Sequence, residues 1–186
     1  MGQKQTQSSD STGFSPSAAF KIATAAIFAA LVAAATLLFV IPIPATSGYF
    51  NLGETLIYIA ALLFGPLVGA VAGAGATIAD ALVATQFAPG TFTIKAIEGF
   101  LVGFLFKKVN QKIENITLSA SIAVAIGGFE MVLGYFLYET FALGYPFALA
   151  AVEVPFNIVQ MLIGLAVAVP VMHAVLRVFP QLKSSI

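Results

Sequence analysis

The sequence predicts an all-α integral membrane protein, a six-transmembrane-helix bundle with both termini cytoplasmic. Three observations predict it. The chain of 186 residues is 60% hydrophobic and 9% charged, with mean hydropathy +1.01, whereas a soluble domain carries about 25% charged residues. Its apolar residues fall into six runs, and a helix crossing a bilayer core needs about 20 such residues. Seven of the eight Lys and Arg lie on one side of those runs: Lys4 and Lys21 before the first, Lys107, Lys108 and Lys112 in one loop, Arg177 and Lys183 after the last. Basic residues collect on the cytoplasmic side of membrane spans. The eighth, Lys95, lies inside a span.

The elements follow in order. Residues 1–17 are rich in Ser, Gln and Thr, a composition that predicts a disordered polar tail. Span 1 covers 18–41. Its apolar run exceeds the roughly 7–15 residues of a signal-peptide core and more spans follow, so it reads as a retained helix. It ends at Ile41-Pro42-Ile43-Pro44, where the prolines break the helix and stiffen an outer loop over 42–51. Span 2 is short, 52–64. Gly65-Pro66 makes the inner turn, and Pro66 suits the first position of span 3, 66–85. Gln86–Gly90 is a tight outer turn before span 4, 91–106. A basic inner loop over 107–116 precedes span 5, 117–141. Leu143–Pro146 turns outside, and span 6 runs 147–176 with Pro155 and Pro170 as kink points. One membrane domain, 18–178, is followed by a cytoplasmic tail, 179–186.

Composition excludes much. The net charge is zero, with 8 basic and 8 acidic residues, so there is no basic surface for nucleic acid. With no cysteine, disulfides, thiolate metal sites and Cys nucleophiles are ruled out, and His173 is the single histidine. No metal site and no cofactor are expected. There is no Walker motif and no Gly-x-Ser-x-Gly elbow, and Asp80 is the only aspartate in a span, which argues against a nucleotide hydrolase, a serine hydrolase or a paired-aspartate protease. There is also no Trp, so stacking and interfacial contacts fall to 17 Phe and 5 Tyr.

The polar residues inside the apolar runs carry the functional information. A charge at the bilayer centre costs about 2.5–3.5 kcal/mol by insertion scales, so such residues face a cavity or a partner. Glu54, Lys95, Glu98 and Glu153 lie in the outer half of their spans, Glu130 at mid-span, and Asp80 and Glu139 near the outer ends, where water solvates them. On span 6, Glu153, Asn157, Gln160 and Gly164 are spaced 4, 3 and 4 apart and share one helical face. That stripe suits a heterocycle bearing donors and acceptors, or else bonds to neighbouring helices. Lys95 and Glu98, three apart, pair with each other or offer the ammonium to a ligand. Gly127 and Gly134 flank Glu130 and leave room for a ligand or for a close helix. Asn51, beside Glu54, closes a proline-stiffened loop able to fold over a pocket. On span 1, Ala25, Ala29 and Ala33 form a smooth face with Ala26, Ala30 and Ala34 beside them. Small residues at this spacing allow close helix approach, either within the bundle or against a partner.

Several stretches together resemble a known family. Gly48-Tyr49-Phe50-Asn51-Leu52-Gly53-Glu54, Leu63–Ala70, Ala79-Asp80, Ile94–Gly99 and Pro155–Gln160 are similar to the substrate-binding S components of energy-coupling factor (ECF) vitamin transporters, most of all the riboflavin-type branch. The resemblance covers about residues 18–178. It implies a high-affinity membrane subunit that binds a vitamin or precursor from outside and works with a transmembrane coupling subunit and two cytoplasmic ATPases. It casts loop 42–51 as a lid and Ala25, Ala29 and Ala33 as the face for the coupling subunit. Ligand contacts are then expected from Asn51, Glu54, Lys95, Glu98, Glu130, Glu153, Asn157 and Gln160. The lack of Trp argues against a Trp-stacked thiamine. Riboflavin is permitted, and pyridoxine-like or pyrimidine precursors fit as well. A stand-alone proton-coupled carrier using Glu130 is the competing transport class.

Overall fold

The computed structural model describes residues 17–185; the rest of the polar tail, with Lys4, and the last residue lie outside them. Seven helices and one small hairpin follow the predicted order: α1 (Ala18–Leu38), β1 (Ile41–Pro42), β2 (Tyr49–Phe50), α2 (Gly53–Phe64), α3 (Pro66–Ala74), α4 (Ala76–Val83), α5 (Ala88–Asn110), α6 (Ile116–Phe141) and α7 (Phe147–Val178), then a short 3-10 turn over Pro180–Ser185. Helices α3 and α4 together make the third span, so six helical segments stand where six runs were predicted. Five of them are long and apolar enough to cross a membrane, and the chain is a multi-pass membrane protein.

Local chemistry sets the boundaries. Ser17 caps α1 by accepting a bond from the Phe20 amide at 3.2 Å, and the Asn115 side chain caps α6 by accepting from Leu118 at 3.0 Å. Gly65 takes φ 87°, a left-handed conformation open to glycine, and Pro66 starts α3 in the first-turn position where its missing N–H costs nothing. Helix α5 begins earlier than predicted. Pro89 and Gly90 belong to its first turn, because a first-turn proline is as compatible with a helix start as with a loop. Helix α1 is shorter than predicted, because Ile41 and Pro42 pair antiparallel with Phe50 and Tyr49.

The short α2 is the centre of the bundle. At 12 residues it spans about 18 Å, too little for a bilayer core of about 30 Å, and Ile57 to Leu63 are all buried. Around them pack Val68 and Ala72 of α3, Val102 and Phe106 of α5, Val124 of α6 and Met172 of α7.

Helices α3 and α5 meet backbone to backbone. A Cβ built on Gly69 would lie 2.9 Å from the Gly99 carbonyl carbon, and one on Gly73 would strike the Lys95 carbonyl. This close crossing delivers Lys95 to the bundle centre. Gly75, which separates α3 from α4, lies against the backbone of Ala29. The alanine face of α1 is therefore used within the chain: Ala25 is 8% and Ala33 6% exposed. Of the expected partner face, Ala25 and Ala33 are thus buried within the chain and Ala29 is half-buried. The neighbouring row, Ala26, Ala30 and Ala34, is the exposed one.

Candidate ligand-binding site

Four anchors draw the hairpin end of the bundle together. The hairpin turn closes through Ile43 N–H to Gly48 O at 3.0 Å and Thr46 N–H to Ile43 O at 3.1 Å. From that turn the Thr46 hydroxyl donates to the Glu153 carboxylate on α7. The Tyr49 hydroxyl donates to Asp80 on α4, which also accepts from Thr91 on α5. Thr91 in turn shares a 2.8 Å hydrogen bond with Tyr135 of α6. The Asn51 amide donates to Gln160 Oε1 on α7 at 2.8 Å, while Asn51 Oδ1 accepts from Gly53 N–H at 2.9 Å just before α2. Burial, and then Asp80 beside it, push the Tyr49 phenol far above its usual range, so it stays protonated as the donor.

Deeper in, Lys95 is held between two carboxylates. Its ammonium pairs with Glu54 of α2 and lies 3.5 Å from Glu98 Oε2, one turn along its own helix. Glu98 Oε1 accepts from the Tyr58 hydroxyl at 2.7 Å. All four residues are 3% exposed or less. Removing one partner from such a buried set strands a charge, which costs far more than a surface pair. The ammonium also sits 5.3 Å from the Tyr135 ring centroid, within cation–π range.

Between the hairpin and these residues is a hollow with two lobes. The larger is lined by Gly48, Tyr49, Asn51, Asp80, Phe87, Lys95, Tyr135, Glu153, Asn157 and Gln160. The smaller shares Tyr49, Asn51, Asp80, Lys95 and Tyr135 and reaches Thr36, Glu54 and Thr91. Carboxylates supply acceptors, the ammonium and amides supply donors, and Tyr49, Phe87 and Tyr135 supply flat apolar surface. Such a mixture orients a small molecule. No serine or histidine lies on these walls; His173 bonds to Thr117 at the other end of α7.

Six of the eight residues singled out in the sequence meet here: Asn51, Glu54, Lys95, Glu153, Asn157 and Gln160. Glu98 stands behind Lys95, off the wall. Glu130 is not on the wall either; it is half-buried on α6. Within the span 6 stripe the bonding is along the helix itself and to the strand before α2. Gln160 Nε2 donates to Asn157 Oδ1 at 3.0 Å, and both still face the hollow. Asp80 and Glu139 correct the expectation of solvation, at 5% and 0% exposure. The hairpin covers Asp80, and nothing in the local sequence announced that cover. Tyr58, Thr91 and Tyr135 were missed because one hydroxyl in an apolar run carries no periodic signal.

The chain is thus a multi-pass helical bundle with a polar hollow beneath its hairpin, an arrangement able to hold a small solute. The family model for the S component of the ECF-type riboflavin transporter matches residues 18–177, and the chain belongs to that family, one of transport subunits and not of enzymes. Its fold matches a solved structure of the S component of a bacterial ECF transporter with TM-score 0.68 over 86% of this chain and 96% of that one, at 16% identity. An uncharacterised protein of Pyrococcus woesei is 44% identical over 101 residues, 54% of this chain and 65% of the relative's length.

Proposed function

We propose that this subunit captures riboflavin from outside the cell with high affinity and presents it to a coupling subunit driven by two ATPases on other polypeptides. The observation that carries the proposal is the convergence of Tyr49, Asn51, Asp80, Lys95, Glu153, Asn157 and Gln160 on one hollow beneath the hairpin. An isoalloxazine has a polar edge of carbonyls and an imide N–H beside an apolar ring system. Lys95 and the amides answer the carbonyls, Asp80 or Glu153 answers the N–H, and Tyr135 with Phe87 answers the ring. Lys21, Lys107, Lys108, Lys112, Arg177 and Lys183 lie toward the opposite end of the bundle. By the positive-inside rule that end is cytoplasmic and the hairpin end faces outward.

A second reading concerns the ligand. Asp80 and Glu153 outnumber Lys95 on the wall of the larger lobe. A smaller, donor-rich pyridoxine-like or pyrimidine precursor satisfies that balance. The test is to purify the protein from cells, unfold it, and identify what is released by mass spectrometry and absorbance. Riboflavin, with yellow protein, supports the first reading; a pyridine or pyrimidine supports the second. Uptake by vesicles holding this subunit alone, without any ATPase, contradicts both and favours a proton-coupled carrier.

A further inference from the structure

The end of the bundle opposite the hairpin has a second opening. It is a groove along the α6–α7 seam, lined by Thr117, Val169, Pro170, His173, Ala174 and Arg177. Val169, His173 and Arg177 follow one another at intervals of four along α7 and so form one ridge. The groove is graded. Val169 and Pro170 are apolar and are the groove residues farthest from the helix end. His173 is next, and Arg177 stands in the last turn of α7, one residue before the helix ends. Thr117 is in the first turn of α6, so the polar end of the groove lies at the level where both helices leave the bilayer.

The polar groups at that end are arranged for an incoming anion. Among the described residues every ion pair involves Lys95, so the exposed Arg177 guanidinium has no carboxylate partner. The Thr117 hydroxyl and His173 Nε2 lie 2.9 Å apart. That bond fixes the ring and leaves Nδ1 for another partner. Glu114, in the loop before α6, is the single acidic residue beside six basic ones toward this end of the chain's helices, Lys21, Lys107, Lys108, Lys112, Arg177 and Lys183. A guanidinium binds phosphate oxygens in a two-pronged fork, and basic pockets between spans hold anionic headgroups.

We propose that the Thr117–His173–Arg177 groove is a binding site for one anionic phospholipid, with its phosphate on Arg177 and His173 and an acyl chain along Val169 and Pro170. The grading from apolar to cationic selects an amphiphile over a free anion, which would leave the lower groove unfilled. The site is far from the vitamin hollow and shares no residue with it.

Native mass spectrometry of the purified protein, titrated with phosphatidylglycerol in phosphate-free neutral detergent, tests this. Wild type is expected to bind one phosphatidylglycerol in preference to phosphatidylcholine. Arg177→Gln is expected to weaken binding about fivefold, the usual contribution of one basic group at a membrane surface, and His173→Gln to weaken it independently. Lys183→Gln, which removes an equal charge outside the groove, is expected to leave affinity unchanged. Equal binding of phosphatidylcholine, unchanged affinity in Arg177→Gln, or an equal loss in Lys183→Gln overturns the site. Displacement of the lipid by millimolar inorganic phosphate reassigns it to free phosphate and overturns the lipid proposal.

Discussion

Gln160 binds in two directions at once: its Nε2 donates to Asn157 Oδ1 at 3.0 Å, and its Oε1 accepts from the Asn51 backbone amide at 2.8 Å. One side chain thus joins the stripe on α7 to the strand that leads into α2. Gln160→Leu keeps the volume and removes both bonds. It leaves a buried amide donor unsatisfied, which costs about 1–3 kcal/mol. The Asn51 amide is expected to exchange with solvent faster by at least about tenfold in hydrogen-exchange measurements, with helix content unchanged. An unaltered exchange rate contradicts the link.

Lys95 neutralises part of a set with more carboxylates than cations. Lys95→Met strands Glu54 and Glu98 in the bundle centre, and a destabilisation of about 3–5 kcal/mol is expected. Combining it with Glu54→Gln removes one stranded charge, so the double variant is expected to unfold at a higher temperature than Lys95→Met alone. A double variant no more stable than the single one shows that the pair contributes independently.

Gly48 is confined by the residue its own turn binds. A Cβ there would lie 2.6 Å from the Glu153 carboxyl carbon, so Gly48→Ala pushes Glu153 aside and loosens the Thr46 bond to it. Riboflavin affinity is expected to fall about tenfold, the equivalent of one lost hydrogen bond of about 1.4 kcal/mol. Ser47→Ala, one residue away and exposed, is expected to change nothing. Equal affinities for Gly48→Ala and wild type refute the anchor.

The two alanine rows of α1 make opposite predictions. Ala29 lies against Gly75, so Ala29→Trp overpacks the bundle and is expected to lower stability by about 1–3 kcal/mol. Ala30 faces outward, so Ala30→Trp is expected to keep stability and ligand binding while blocking copurification with a coupling subunit. If the Ala30→Trp complex forms normally, the exposed row is not the partner surface.

The sequence made the six segments and most of the polar residues lining the hollow legible because membrane insertion leaves strong marks. Long apolar runs and the one-sided Lys and Arg distribution are global signals, and a carboxylate or amide in a span is conspicuous by its cost. Glu153, Asn157 and Gln160 could be read as a unit from their spacing alone. What escaped depends on three-dimensional cover. Asp80 and Glu139 sit near helix ends, where sequence position suggests water, yet neighbouring elements bury them. The Ile41–Phe50 pairing was invisible because two-residue strands have no periodicity. Either alanine row of α1 could have faced the bundle, and the choice was made by Gly75, in another span. Glu98 was a sound choice of buried charge, but it supports Lys95 from behind the wall.

The central claim is that the hollow beneath the hairpin holds the ligand. Titration of riboflavin into the purified, ligand-stripped protein, followed by quenching of flavin fluorescence, tests it most directly when wild type and Asn157→Leu are compared. Saturable one-to-one binding by wild type, weakened by a factor of ten or more in a variant with unchanged helix content, is the predicted result. Equal affinity in the two proteins would contradict it.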